Sequence, residues 1–236
     1  GTYDPLYATA LCLENDGTAV VFCTLDLVNI RDGINSRVYE IVEKECPGLS
    51  HNNIIIGVTH THAGPVLAET PETTPDGAPI YSGIKARDFV IERTAEAIIE
   101  AYKNRKEGAI AFGYGYAVVG HSRRSTYLVD RGSNEPDAAA PNGHAIMYGL
   151  TNNPYFAGYE AGADHFVNTM FTFDTDNKLT GMIVNVPCPS QLSEHFKKLS
   201  ADYWCEVKEG IAKEFGEDVY VLPQCAAAGD LSPRIL

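Results

Sequence analysis

Two histidines, His60 and His62, stand two residues apart at the end of an apolar stretch, Asn52-Asn-Ile-Ile-Ile-Gly-Val-Thr-His60-Thr-His62, and the chain then turns at Gly64-Pro65. In an extended chain residues i and i+2 project to one face, so both rings aim at one spot. In an open α/β sheet, ligands gather beyond the carboxyl ends of strands, which is where this pair sits. A neutral imidazole is both a good zinc ligand and a good proton-transfer group. The pair therefore reads as two ligands, or as one ligand and one acid/base. Histidines capping a strand beside Thr59 and Thr61 are the plainer alternative.

Two further stretches carry chemistry. In Ala226-Ala-Ala-Gly-Asp-Leu-Ser232-Pro-Arg-Ile-Leu236, a serine follows a strand and a Gly-Asp turn, where a hydroxyl can be presented to a site. Asp230 or Ser232 ahead of Pro233 is also ordinary helix-capping chemistry. In Gly120-His-Ser-Arg123-Arg124-Ser-Thr-Tyr127, two adjacent arginines could bind a carboxylate, a phosphate or a developing oxyanion. Neighbours on an extended segment face opposite sides, so only one of the two can face a given pocket. His121 and His144 are lone histidines with no partner in sequence.

The elements that must position these residues follow from periodicity. Residues 18–28 form an apolar, β-branched strand, 34–45 an amphipathic helix closed by Pro47-Gly48, and 53–60 a second strand. Strand, helix and strand in that order predict two parallel strands. After a Pro-rich loop (69–83) come a helix over 86–104 and a strand over 109–119 with one face covered. Residues 120–163 show little periodicity. Strands over 167–174 and 178–187 flank a hairpin turn at Asp174–Lys178, and a helix over 192–215 leads to a strand over 218–225. The class is α/β, with mixed, partly parallel β-sheets flanked by α-helices, in one domain over 1–236.

Bulk properties narrow the function. The 236 residues, 44% of them hydrophobic, can bury one large core or two modest ones. A formal charge of −13 argues against nucleic acid as a partner. No apolar window reaches the ~18 residues of a transmembrane segment. Six cysteines without a C-x-x-C read as buried free thiols. No pattern encodes an oligomeric state. Gly1 is not an initiator Met, so the chain is expected to begin after processing, after a tag, or within a longer product.

Together these stretches resemble the neutral/alkaline non-lysosomal ceramidase family. Residues 4–28 look like its first strands, Thr59-His-Thr-His-Ala-Gly-Pro65 its histidine motif, Gly120–Ser125 its arginine segment, and Ala228-Gly-Asp-Leu-Ser-Pro233 its nucleophile motif. The resemblance implies a hydrolase that cleaves the amide bond of an N-acyl sphingoid lipid or a related acyl amide at a zinc site. It implies His60 as a metal ligand and His62, Arg124 and Ser232 as catalytic residues. It also implies a periplasmic or extracellular place and a chain that is the front part of a longer one.

This sequence departs from the family's pattern at the second zinc histidine, which falls on Ser190 in Asn185-Val-Pro-Cys-Pro-Ser-Gln191. The family's glutamate and tyrosine ligands lie beyond Leu236. Asp26 and Cys188 are the substitutes within reach. The expectation is that these 236 residues bind zinc weakly or not at all, and that the histidine pair faces a water-filled cleft. The alternative is a non-catalytic ligand-binding protein that keeps the fold and has lost the zinc site.

Overall fold

A computed structural model describes residues 1–31, 33–128 and 145–236. Among them the first sheet is β1 (Ala8–Asn15), β2 (Thr18–Leu25) and β3 (Ile54–Val58). β1 and β2 form an antiparallel hairpin whose turn places Asp16 and Gly17 at positive φ, 50° and 76°. Both central residues of a type I′ turn need that region, and Asp-Gly is the pair that tolerates it. β3 lies parallel to β2 as predicted, joined by α1 (Ile34–Glu45).

The second sheet has the order β11-β10-β9-β4. It consists of β4 (Ala109–Tyr116), β9 (Phe166–Phe173), β10 (Leu179–Val186) and β11 (Tyr220–Cys225). The β9–β10 hairpin closes as expected, with Asp174 Oδ1 accepting from the backbone N–H groups of Asp176 and Lys178, both at 2.9 Å. β10 and β11 are parallel and connected through α3 (Trp204–Phe215).

Side-chain alternation then stacks four layers. Val21, Cys23 and Leu25 of β2 face α1 and α2 (Gly83–Lys103), meeting Val38, Val42, Ile91 and Ile98. Phe22 and Leu11 face the other way, onto Met170, Ile183 and Leu222 of the second sheet. Met182, Val184 and Val221 leave that sheet on its far side and pack on Trp204, Val207 and Ile211 of α3. A period of two thus serves both faces of each sheet. Each fully buried Val or Ile side chain contributes about 1.5–3 kcal/mol.

Two expectations are corrected. The helix over 192–215 begins only at Trp204. Residues 193–202 instead fold back through Asp202, whose Oδ2 accepts from the Ser193 backbone N–H and hydroxyl, both at 2.6 Å. Such side-chain hydrogen bonds compete with the helix ladder. The strand over 109–119 does not have one covered face: β4 is an edge strand, with Phe112, Tyr114 and Tyr116 each at least 70% exposed. The segment after residue 120 contains β5 (His121–Ser122), β6 (Arg124–Tyr127), β7 (Ile146–Met147) and β8 (Phe156–Tyr159). It is built from pairing rather than periodicity. His144 lies outside the described residues.

All six cysteines are free. Burial pushes the Cys23 and Cys188 thiols up to about 12. At pH 8 only about one in 10⁴ of either is then thiolate, the reactive form. Iodoacetamide at that pH should leave both unlabelled in the folded protein and label both in urea, read by peptide mass spectrometry. Rapid labelling of the folded protein would show that these positions open.

Candidate functional site

The histidine pair converges, but not by the pleat. β3 ends at Val58, and His60 sits in the left-handed region at φ 59°. Thr59 and Thr61 are fully buried and act as staples. The Thr61 hydroxyl donates to Ser200 O at 2.7 Å, and Thr59 O accepts from Ser190 Oγ at 2.8 Å. With the threonines pinned inward, both imidazoles turn outward and meet edge to face, ring centres 5.0 Å apart at 81°.

Each ring is oriented by its Nδ1. His60 Nδ1 lies 2.6 Å from Val28 O. A carbonyl only accepts, so Nδ1 carries a proton, and in the neutral tautomer the lone pair is on Nε2. His62 Nδ1 lies 3.5 Å from Glu194 Oε2, and His62 Nε2 lies 3.2 Å from the Gln191 amide nitrogen. The two Nε2 atoms stand 3.4 Å apart. The His62 pKa is lowered, first by burial and then by His60, with Arg123 adding to it and Glu194 opposing. His62 is therefore a neutral imidazole at pH 7, with its lone pair turned toward His60 and Gln191.

The two arginines, of which the resemblance marks Arg124, have different surroundings. Arg124 forms a two-pronged pair with Glu160 at the surface. Arg123 turns toward the histidines. Its guanidinium donates to Tyr148 Oη at 2.7 Å, to Gly229 O at 2.8 Å and to Gln191 Oε1 at 3.5 Å. The physical reason is register. Arg124 is in β6 and pairs with Met147, whereas Arg123 falls between β5 and β6. There its backbone N–H is held by Asp230 O at 2.9 Å.

Ser232 belongs to the same wall. β12 (Leu231–Ser232) pairs antiparallel with β5, setting Ser232 opposite His121. Ser232 is 1% exposed, and its Oγ accepts from the Arg234 backbone N–H at 3.2 Å. That is the local turn bond of the plainer reading. Among the described residues its hydroxyl makes no bond to either histidine. The Arg234 side chain reaches Gln191 O and Glu194.

The substitutes for the missing zinc histidine are otherwise engaged. Ser190 is fully buried, with its hydroxyl committed to Thr59 O. Asp26 is 3% exposed and bonded to the Tyr7 backbone N–H and to Lys208. Cys188 is fully buried and keeps its proton. The 3.4 Å between the histidine nitrogens matches two imidazoles on one tetrahedral zinc, whose Zn–N bonds of about 2.05 Å subtend roughly 3.4 Å. A zinc site needs at least three protein ligands, however, and no three His, Cys, Asp or Glu side chains converge among the described residues. The described residues fit half of such a site and not the whole.

Sequence reasoning missed Gln191, Glu194, Tyr148 and Arg234. Glu194 lies in the stretch expected to be helical, and Gln191 just ahead of it, at the end of Asn185–Gln191. Tyr148 lies in a stretch without periodicity. Only Arg123 was within reach, as the alternative to its neighbour.

No family model matches this sequence, and no curated protein sequence matches it. The fold, in contrast, has solved counterparts. Neutral ceramidase from Pseudomonas aeruginosa superposes with a TM-score of 0.67 at 19% identity, over 94% of this chain and 32% of that one. A structure titled as ceramidase complexed with C2 superposes at 0.66 and 19% identity, over 95% of this chain and 32% of that one. This chain therefore has the fold of about a third of a neutral ceramidase.

Proposed function

We propose that this chain carries part of the active site of a ceramidase-like hydrolase that cleaves acyl amides, with N-acyl sphingoid lipids as the substrate class. The observation that carries the reading is the convergence of His60 and His62 Nε2 beside Gln191, with each Nδ1 anchored and Arg123 behind. The shared fold supports it.

In this reading His62, neutral and fixed through Glu194, accepts the proton of the nucleophile as it attacks the acyl carbon. It returns that proton to the leaving amine. Arg123, behind Gln191, adds positive charge to the pocket in which the carbonyl oxygen becomes an oxyanion. Ser232 contributes the nucleophile once its hydroxyl rotates off the Arg234 N–H, and after the amine leaves, water hydrolyses the resulting acyl ester to release the fatty acid and restore the hydroxyl. In a completed site His60 Nε2 would be one zinc ligand, and zinc there would polarise the acyl carbonyl. A place outside the cytosol goes with this reading. No helix among the described residues is long and apolar enough to cross a membrane.

Release of fatty acid from N-acyl sphingosine by the purified protein tests the reading. His62→Ala should lower that rate by roughly 10²–10⁴. Hydrolysis of a water-soluble amide or ester in place of the lipid would move the assignment to another hydrolase. Saturable lipid binding without turnover, surviving Ser232→Ala, would make this a binding protein.

Metal gives a separate check. With two imidazoles and no third ligand gathered, these 236 residues should not hold zinc through dialysis against a chelator, as read by elemental analysis. One zinc retained per chain would overturn this and point to Cys188 or Asp26 as a ligand after rearrangement.

A further inference from the structure

We propose that Gln191 is the fixed, neutral N–H donor that receives the carbonyl oxygen of the substrate. The proposal rests on the hydrolytic reading above and adds to it a residue that no sequence motif marked.

Gln191 is 5% exposed, yet both ends of its amide are engaged. Its Oε1 is approached by two groups that donate there, the Arg123 guanidinium at 3.5 Å and the Tyr148 hydroxyl at 3.4 Å. A guanidinium has no acceptor, so the oxygen must face it and the NH₂ must face the other way. On that other side stands His62 Nε2, 3.2 Å from the amide nitrogen, with His60 Nε2 3.4 Å beyond. The backbone is tied as well, because Gln191 O accepts from Arg234. The amide cannot flip without giving up the Arg123 and Tyr148 contacts.

This geometry supplies what a carbonyl-oxygen donor needs. The NH₂ has two hydrogens and, among the described residues, a single acceptor, His62 Nε2. The second hydrogen is available to an oxygen brought up beside the histidines. Arg123 on Oε1 polarises the amide and strengthens its N–H groups as donors, as in other chained hydrogen bonds. A donor held in place before the reaction costs no reorganisation when charge develops. Glutamate at this position would be isosteric but would present an oxygen, and a charge of the wrong sign, where the oxyanion forms.

The test combines Gln191→Glu, Gln191→Ala and Tyr148→Phe, read by steady-state kinetics on a short-chain N-acyl sphingosine. Binding of an alkyl phosphonate, a stable tetrahedral anion, is measured alongside by calorimetry. Gln191→Glu should lower kcat by roughly 10²–10³ while KM moves less than about threefold, and Gln191→Ala should weaken phosphonate binding by at least tenfold. Tyr148→Phe, which frees Oε1 of one partner, should fall between wild type and Gln191→Ala. Wild-type kcat in a folded Gln191→Glu protein, or undiminished phosphonate binding by Gln191→Ala, would overturn the proposal and leave the hydrolytic reading standing. If the wild-type protein turns over no lipid and phosphonate binding still depends on Gln191, the hydrolytic reading falls and the donor assignment survives. A lowered melting temperature in Gln191→Ala with unchanged kcat would reduce Gln191 to a packing residue.

Discussion

Arg123→Lys should lower kcat/KM on the acyl amide by roughly 10²–10³, whereas Arg124→Lys should change it by less than about threefold. The two arginines differ by one position in sequence and by everything in surroundings. Arg123 holds Tyr148, Gly229 and Gln191 at once from one planar fork. Lysine keeps the charge but cannot span three partners, so the Gln191 amide and the loop carrying Ser232 lose their common anchor. Among the described residues Arg124 is hydrogen-bonded to Glu160, in a pair whose side chains are 31% and 45% exposed. Exposed pairs of this kind contribute between nothing and about 1 kcal/mol, and a lysine there can still meet the carboxylate. Circular dichroism on both variants separates lost chemistry from lost folding. The opposite ranking, with Arg124→Lys the damaging change in a folded protein, would return the oxyanion role to Arg124 and require β6 to slip by one residue.

This reversal shows where sequence reading reaches its limit. The α1 helix, the parallel β2–β3 pair and the β9–β10 hairpin were legible because each is set by a local pattern: helical spacing, a βαβ order, an Asp-rich turn. The β1 strand carried a signal too, the Asn-Asp-Gly-Thr turn that closes its hairpin. The site was legible only as far as its motifs. His60 and His62 come together, yet through a left-handed residue and two stapling threonines rather than through strand alternation. Choosing between Arg123 and Arg124 required the strand register, and register in a four-residue strand is set by β7 and β8, far away in sequence. Glu194 was hidden because its loop has helical composition. What breaks the helix there is Asp202 capturing Ser193, a contact between residues nine apart.

Lys208→Met should destabilise the protein by about 3–5 kcal/mol at pH 7, while Asp26→Asn should change stability by about 1 kcal/mol or less. Asp26 closes the first sheet just ahead of Val28, whose carbonyl fixes His60, and Lys208 comes from α3 on the second sheet. Their contact, 3.4 Å long with side chains 1% and 20% exposed, ties together the two halves that supply the histidines and Gln191. The Asp26 pKa is raised, because burial outweighs the help of Lys208 and the Tyr7 N–H. The folded state therefore binds this proton more tightly than the unfolded chain does. Its contribution is most favourable below the ordinary carboxylate value of 3.8 and is lost as pH rises from there through the raised folded value. Removing Lys208 leaves an unpaired buried carboxylate, and its penalty should shrink on acidification, when protonated Asp26 no longer needs a partner. Asparagine removes the charge altogether and still accepts from Tyr7, which is why the milder effect is expected there. Urea unfolding of both variants at pH 7 and pH 4 is the measurement. A Lys208→Met loss equal at the two values would assign the effect to the Lys208 ammonium over the Tyr7 ring, 4.5 Å from its centre. An Asp26→Asn loss as large as that of Lys208→Met would mean that the ion pair stabilises this junction outright, against the direction in which burial moves the Asp26 proton.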